Sequence, residues 1–150
     1  MRFENNIYDK RIIQAVRDAE ALLDSNSQML NYVKQKNDWR YGIKSGEDAA
    51  TKLVSPDSPA PVLIYYPKYK NSDQTAAWNG ERIGINGFWL PTVTHHPLLV
   101  GALIHEYCHK KGFHHQDKGI WGYVKRNYWS EEKSKYSLPY HLSDNIEKWL

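Results

Sequence analysis

The chain has a single cysteine, Cys108, among its 150 residues. One thiol forms no intrachain disulfide, and a reducing compartment is the consistent setting. Methionine is almost as scarce: Met1 and Met29 are the only two, both far upstream. No apolar run approaches the roughly 18 to 20 residues needed to span a bilayer. The start, MRFENNIYDKRIIQAV, has acidic and polar residues where a signal peptide needs its apolar region. These features lead us to expect a cytoplasmic protein with no membrane partner. Charge of one sign is not concentrated either: 20 Lys+Arg stand against 17 Asp+Glu, a net +3, with the basic residues scattered. Scattered charge gives no basic tract for a polyanion, so no nucleic-acid partner is expected. Internal repeats and low-complexity segments are absent.

What remains, at 41% hydrophobic and 25% charged residues, is the composition of an ordinary globular chain, read as one domain over residues 1–150 and as a monomer. Its 11 tyrosines and 6 tryptophans read chiefly as core. Residues 7 to 24 place Ile12, Ile13, Val16, Ala19, Leu22 and Leu23 at helical spacing, and a weaker run follows from Gln28 to Lys36. The two runs are consistent with two helices or with one long one. Ser45-Gly46-Glu47-Asp48 resembles a capping box for a short helix to Leu53. Pro56, Pro59 and Pro61 then enforce an extended linker.

Beyond that linker the pattern turns strand-like. Val62 to Tyr66 is rich in β-branched and aromatic residues. Asn71 to Gln74 reads as a turn, and Asn79-Gly80 signals a hairpin between a strand at Thr75 to Trp78 and another at Glu81 to Ile85. Asn86-Gly87 is a further turn. Helices followed by a small, mostly antiparallel sheet give an α+β fold, completed by a central helix and a C-terminal helix. The last of these is expected over Asp144 to Leu150, capped by Ser143, with Ile146, Trp149 and Leu150 on the core.

The central helix carries the chemistry. It is expected from Thr94 or His95, with Pro97 near its first position, to about Lys111. Within LLVGALIHEYCHKKGFHH lies His105-Glu106-Tyr107-Cys108-His109, the pattern H-E-x-x-H, extended by Gly112 and His115. With 7 histidines in 150 residues, H-E-x-x-H alone arises by chance about 2 times in 100, but the extended pattern only on the order of 1 in 20,000, which favours a site over coincidence. At 100° per residue, His105 and His109 lie about 40° apart on one helix face, while Val100, Leu103 and Tyr107 point the other way into core. Neutral imidazoles at i and i+4 can both reach one Zn²⁺ at about 2.0 to 2.1 Å. A left-handed Gly112 would end the helix and swing His115 back as third ligand. Three protein ligands leave a fourth position for water, whose pKa the metal lowers toward about 7. Glu106, about 100° around from His105, can accept the proton of that water. One Zn²⁺ per chain is expected, and metal-assisted hydrolysis of a peptide bond in a peptide or protein substrate.

His105, Glu106, His109, Gly112 and His115 together resemble the zinc signature of the metzincin metallopeptidases. The match covers about eleven residues. The resemblance implies a minimal zincin-like domain, an edge strand upstream of the helix that binds extended substrate, and a methionine-containing turn beneath the metal. Neither methionine of this chain lies downstream of the helix. Tyr136-Ser137-Leu138-Pro139-Tyr140 resembles that turn shortened by one residue, with Leu138 or Pro139 as apolar floor. By the same resemblance Tyr140 is the candidate for stabilising the developing oxyanion. Glu81 to Asn86, which alternates and immediately precedes the connection to the helix, is the candidate substrate strand.

Other residues compete for roles. His114 is an alternative third ligand, and a gluzincin-like site would use Glu131 or Glu132; spacing favours His115. His95 and His96 read as cap or cleft residues, and Cys108 as a small buried thiol. The spacing H-x3-H-x5-H also resembles small bacterial rRNA-maturation endoribonucleases, which have glycine where this chain has Glu106. A non-catalytic zinc-binding or toxin-like module is the third reading; a structural site has no use for Glu106 and is usually closed by four protein ligands.

Overall fold

The computed structural model describes residues 1–69, 74–115 and 129–150. It is an α+β fold. A four-stranded sheet is formed by β1 (Phe3–Asn5), β2 (Ala60–Tyr65), β3 (Ala76–Trp78) and β4 (Ile83–Asn86) in the order β1-β2-β4-β3. β1 with β2 and β2 with β4 pair in parallel, in registers Phe3↔Ala60 and Val62↔Ile83. β3 folds back antiparallel on β4, with Trp78 opposite Ile83. The sheet is therefore mixed, not mostly antiparallel. Parallel pairing needs a long crossover, and helices α1 (Lys10–Leu22), α2 (Gln28–Gln35) and α3 (Gly46–Val54) supply it between β1 and β2.

Local chemistry sets the helix ends. Asp9 accepts from the Arg11 N–H, Ser27 from that of Leu30 and Ser45 from that of Asp48, so each helix starts on a side-chain cap. Ser27 splits the first two runs into separate helices. Asn79 Oδ1 accepts from the N–H groups of both Glu81 and Arg82, and the hairpin turns on Gly80 and Glu81, with Gly80 at φ +95°. The expected turn at Asn71 to Gln74 lies, apart from Gln74, outside the described residues.

Helix α4 (His96–Lys110) is the central element, packed mainly against α1 and against α6 (Leu138–Asp144). Its Leu99, Val100, Leu103, Ile104, Tyr107 and Cys108 are buried, so it is enclosed on more than one side, as its pattern predicts. Gly101 lets α6 come close: a Cβ there would stand 3.1 Å from the Ser143 carbonyl oxygen. α4 begins at His95, with Pro97 in its first turn, where a missing N–H costs nothing. No helix of the described residues is long and apolar enough to cross a membrane.

Three further expectations are corrected. Glu81–Asn86 is not an edge strand: its ordered part, β4, lies between β2 and β3 and is buried at every residue. The chain end is not a helix over Asp144 to Leu150. α5 (Glu131–Tyr136) runs into Ser137, whose hydroxyl accepts from the Tyr140 N–H and starts α6, followed by a 3₁₀ turn at Ile146–Trp149. Ser143 sits inside α6 and Leu150 is exposed, while Ile146 is buried and Trp149 packs partly against the core. The turn-like reading of Ser137 to Tyr140 becomes a helix start, with Pro139 near its first position.

Candidate metal centre

His105 and His109 project from one face of α4, and the helix ends in a way that returns the third histidine to them. The Phe113 N–H bonds to the Cys108 carbonyl and the Gly112 N–H to that of His109, both at 2.9 Å, a Schellman closure. It requires a left-handed residue at Gly112, whose φ is +88°. Phe113 is buried by the turn, and His115 arrives beside the other two imidazoles. One ligand nitrogen from each of His105, His109 and His115 lies within 4.8 Å of the others.

The surroundings fix how the rings face. His109 Nδ1 stands 2.8 Å from the Phe113 carbonyl, which can only accept, so Nδ1 carries the proton and Nε2 a lone pair. Ser143 donates its O–H to the Tyr140 carbonyl, so its oxygen accepts from His105 Nδ1 at 3.4 Å. His105 Nε2 is then also a lone pair, 3.2 Å from His109 Nε2. Two lone pairs facing at that distance repel unless a cation lies between them. A tetrahedral zinc with ligands at about 2.0 to 2.1 Å holds them about 3.3 Å apart, so the pair fits such an ion. His115 is buried, and its Nδ1 is without a hydrogen-bond partner among the described residues. A buried imidazole nitrogen left unpaired is costly in a purely structural cluster and is suited to a ligand set. The donor set, three imidazoles of which His105 and His109 are oriented from behind by a hydroxyl and a carbonyl oxygen, fits zinc.

Electrostatics agree with neutral ligands. Burial pushes His105 down to about 3, with the neighbouring His109 and His115 adding to the effect against the Pro139 carbonyl. Burial lowers His115 to about 4, assisted by His109 and by the Lys133 ammonium. His109 is lowered by burial, against its Phe113 bond. All three are thus unprotonated at neutral pH. Glu106 is raised by burial to about 7, opposed by the Trp78 N–H that donates to its Oε2 at 2.8 Å.

That Trp78 bond links the carboxylate to the sheet. Thr75 and Asn79 bond toward β4, so by the two-residue period Ala76 and Trp78 turn their backbone groups to the outer edge of β3. The edge strand beside the site is thus β3, rather than Glu81–Asn86. Tyr140 is also brought in: its ring centroid is 4.7 Å from that of His105 and 4.6 Å from that of His115. Burial raises its phenol, as do Asp144 and Glu106. Leu138 and Pro139 are both buried.

The competing residues stay out of the cluster. His114, Glu131 and Glu132 are exposed, and Glu132 pairs with Arg40. His95 pairs with Glu147, and His96 with Asp18 at 2.6 Å. Cys108 is fully buried, and burial pushes its thiol up, as an inert core thiol should behave. Sequence reasoning missed the Trp78 N–H, the Phe113 carbonyl and the Ser143 hydroxyl. The first two are backbone groups with no side-chain signature, and Ser143 was assigned to a cap. Compared with known proteins, the chain matches no family model, no curated protein and no solved structure.

Proposed function

We propose that the chain is a cytoplasmic, monomeric zinc metallopeptidase resembling the metzincins, which hydrolyses a peptide bond with Glu106 as general base. The observation that carries this reading is the convergence of His105, His109 and His115 with Glu106 held beside them by the edge strand. A zinc held by His105, His109 and His115 would supply Lewis acidity and lower the pKa of a water toward about 7. Glu106 accepts the proton as the water oxygen bonds to the scissile carbonyl carbon, then returns it to the departing amine as the C–N bond breaks. Its Oε2 is anchored by Trp78, which fixes the carboxylate's direction and leaves Oε1 for the water. Ala76 offers backbone groups on the same edge, where an extended peptide can add as a strand. Tyr140, against two of the three imidazoles, is the donor for the developing oxyanion.

The test uses an unfolded protein as substrate and metal analysis on the same samples. The wild type should hold about one zinc per chain and cleave the substrate. Glu106→Ala should keep its zinc and lose cleavage. Loss of zinc in that variant, or undiminished cleavage, removes Glu106 as base. Cleavage of RNA without proteolysis would replace the reading by an endoribonuclease, and stoichiometric zinc with neither activity by a binding module.

A further inference from the structure

A cleft of about 540 Å³ lies between β1 and α1, away from the three histidines. β1 and β3 are the opposite edges of the sheet, three strand spacings or about 14 Å apart, so this cleft is across the sheet from the strand that holds Glu106. Glu20 Oε1 accepts from the Arg2 and Phe3 N–H groups at 2.8 and 2.9 Å, which ties the later part of α1 to the start of β1. Ile13, Val16, Arg17 and Glu20 recur at helical spacing and form the wall opposite the strand. Val16 packs against the core, but Ile13 is only half-buried and Tyr8 is 94% exposed, so apolar surface is left at the mouth.

The strand side offers free backbone. The Ala60 N–H bonds to the Arg2 carbonyl, so by the two-residue period Arg2 and Glu4 turn their backbone groups to β2, and Phe3 and Asn5 turn theirs outward. The Phe3 N–H is taken by Glu20. The Phe3 carbonyl and the Asn5 N–H have no partner among the described residues. One residue apart, they are the acceptor and the donor that a single residue of an added parallel strand would use.

Charge selects what that strand carries. Arg17 stands one turn before Glu20, about 4.5 Å back along α1 toward the Asn5 end. Among the described residues its guanidinium makes no hydrogen bond or ion pair, and Glu20 is engaged by the strand. A free C-terminus fits poorly, because the two successive N–H groups able to cradle a terminal carboxylate already hold Glu20. An acidic side chain on Arg17 has no such competitor.

We propose that this cleft is a second binding site, which takes an extended segment of a partner protein as an outer strand on β1. An apolar side chain of that segment lies against Ile13 and Val16, and an Asp or Glu two residues away pairs with Arg17. The site does not rest on the peptidase reading.

The probe is an acetylated, amidated peptide, Thr-Val-Thr-Glu-Thr-Val-Thr, whose alternation puts both Val side chains and the Glu on one face of a strand. It and its Gln and Lys counterparts are titrated to millimolar concentration into nitrogen-labelled Glu106→Gln protein, in which proteolysis would not consume them, and amide shifts are followed by NMR. Shifts should appear at Phe3, Asn5, Ile13 and Arg17, with Kd for the Glu peptide about 2- to 5-fold below that for the Gln peptide, the range of an exposed ion pair. Arg17→Gln should abolish that difference, and Arg17→Glu should reverse it in favour of the Lys peptide. Ile13→Ser should weaken all three by about fivefold, with the remaining spectrum unchanged. Absence of shifts at these residues, shifts confined to β3, or equal Kd for the Glu and Gln peptides overturns the proposal. A concentration-dependent dimer in sedimentation that Arg17→Glu or Ile13→Ser disperses makes the occupant a second copy of the chain, and overturns it as well.

Discussion

Gly112→Ala probes the hinge on which the site depends. The residue sits at φ +88°, where an L side chain costs about 1 to 2 kcal/mol. The added methyl would meet Lys52 Nζ at 3.1 Å, but that is the end of a flexible side chain and moves at little cost. The penalty is therefore almost wholly backbone strain, and the metal-free protein should lose about 1 to 2 kcal/mol, a shift in folding equilibrium of about five- to thirty-fold. Zinc affinity should fall as well. If the turn relaxes to negative φ, the Schellman bonds of Gly112 and Phe113 break, the Phe113 carbonyl leaves His109 Nδ1, and His115 loses its approach. Loss of such orienting contacts costs about 10- to 100-fold in metal affinity. Urea unfolding of the metal-free protein measures the first effect, and competition with a chromophoric chelator the second. Gly112→Asn, which tolerates the left-handed region, should show a smaller loss in both. An alanine variant with unchanged midpoint and zinc affinity would refute the argument.

Further predictions follow from the same contacts. The folded-state pKa values of His105 and His115 lie at about 3 and about 4, and those of His109 and His141 are also lowered by burial. Below the unfolded value of about 6.5 the unfolded chain binds more protons, so stability present above that pH is lost as pH falls toward 4. Urea melts of metal-free protein from pH 8 to 4 check this; a flat profile contradicts it. Tyr140→Phe should lower kcat by about 10²-fold with zinc retained, and an unaltered rate removes the phenol from the mechanism. Ser137→Ala deletes the α6 cap and should cost about 1 kcal/mol in a denaturant titration, with no loss refuting that cap.

The parts of this fold that were legible in the sequence are those set within a few residues. The 3.6-residue period of α4, the left-handed Gly112 and the serine cap at Ser45 each act over one turn of chain. Strand order is a long-range property, and there the pattern misled. Glu81 to Asn86 alternates like a half-exposed strand because Gly84 and Asn86 look solvent-facing. In the fold Gly84 lies beneath the Tyr65 ring, where a Cβ would come within 2.6 Å. Asn86 is buried because its amide donates to the Gln74 carbonyl and accepts from Phe88. β1 is three residues long, too short to carry a period, yet it adds a second parallel pair beside that of β2 with β4. At the chain end, Ser137 and Ser143 are equally good caps by composition. Pro139 two residues after Ser137 suits a helix start, and Gly101 leaves the room that places Ser143 against His105. Neither fact is local to the segment it decides.

Zinc K-edge X-ray absorption on the purified protein tests the central claim most directly. The account predicts about one zinc per chain, bound by three imidazole nitrogens at about 2.0 to 2.1 Å and one oxygen donor. Absence of stoichiometric zinc, fewer than three imidazoles, or a sulfur at about 2.3 Å from Cys108 would contradict it.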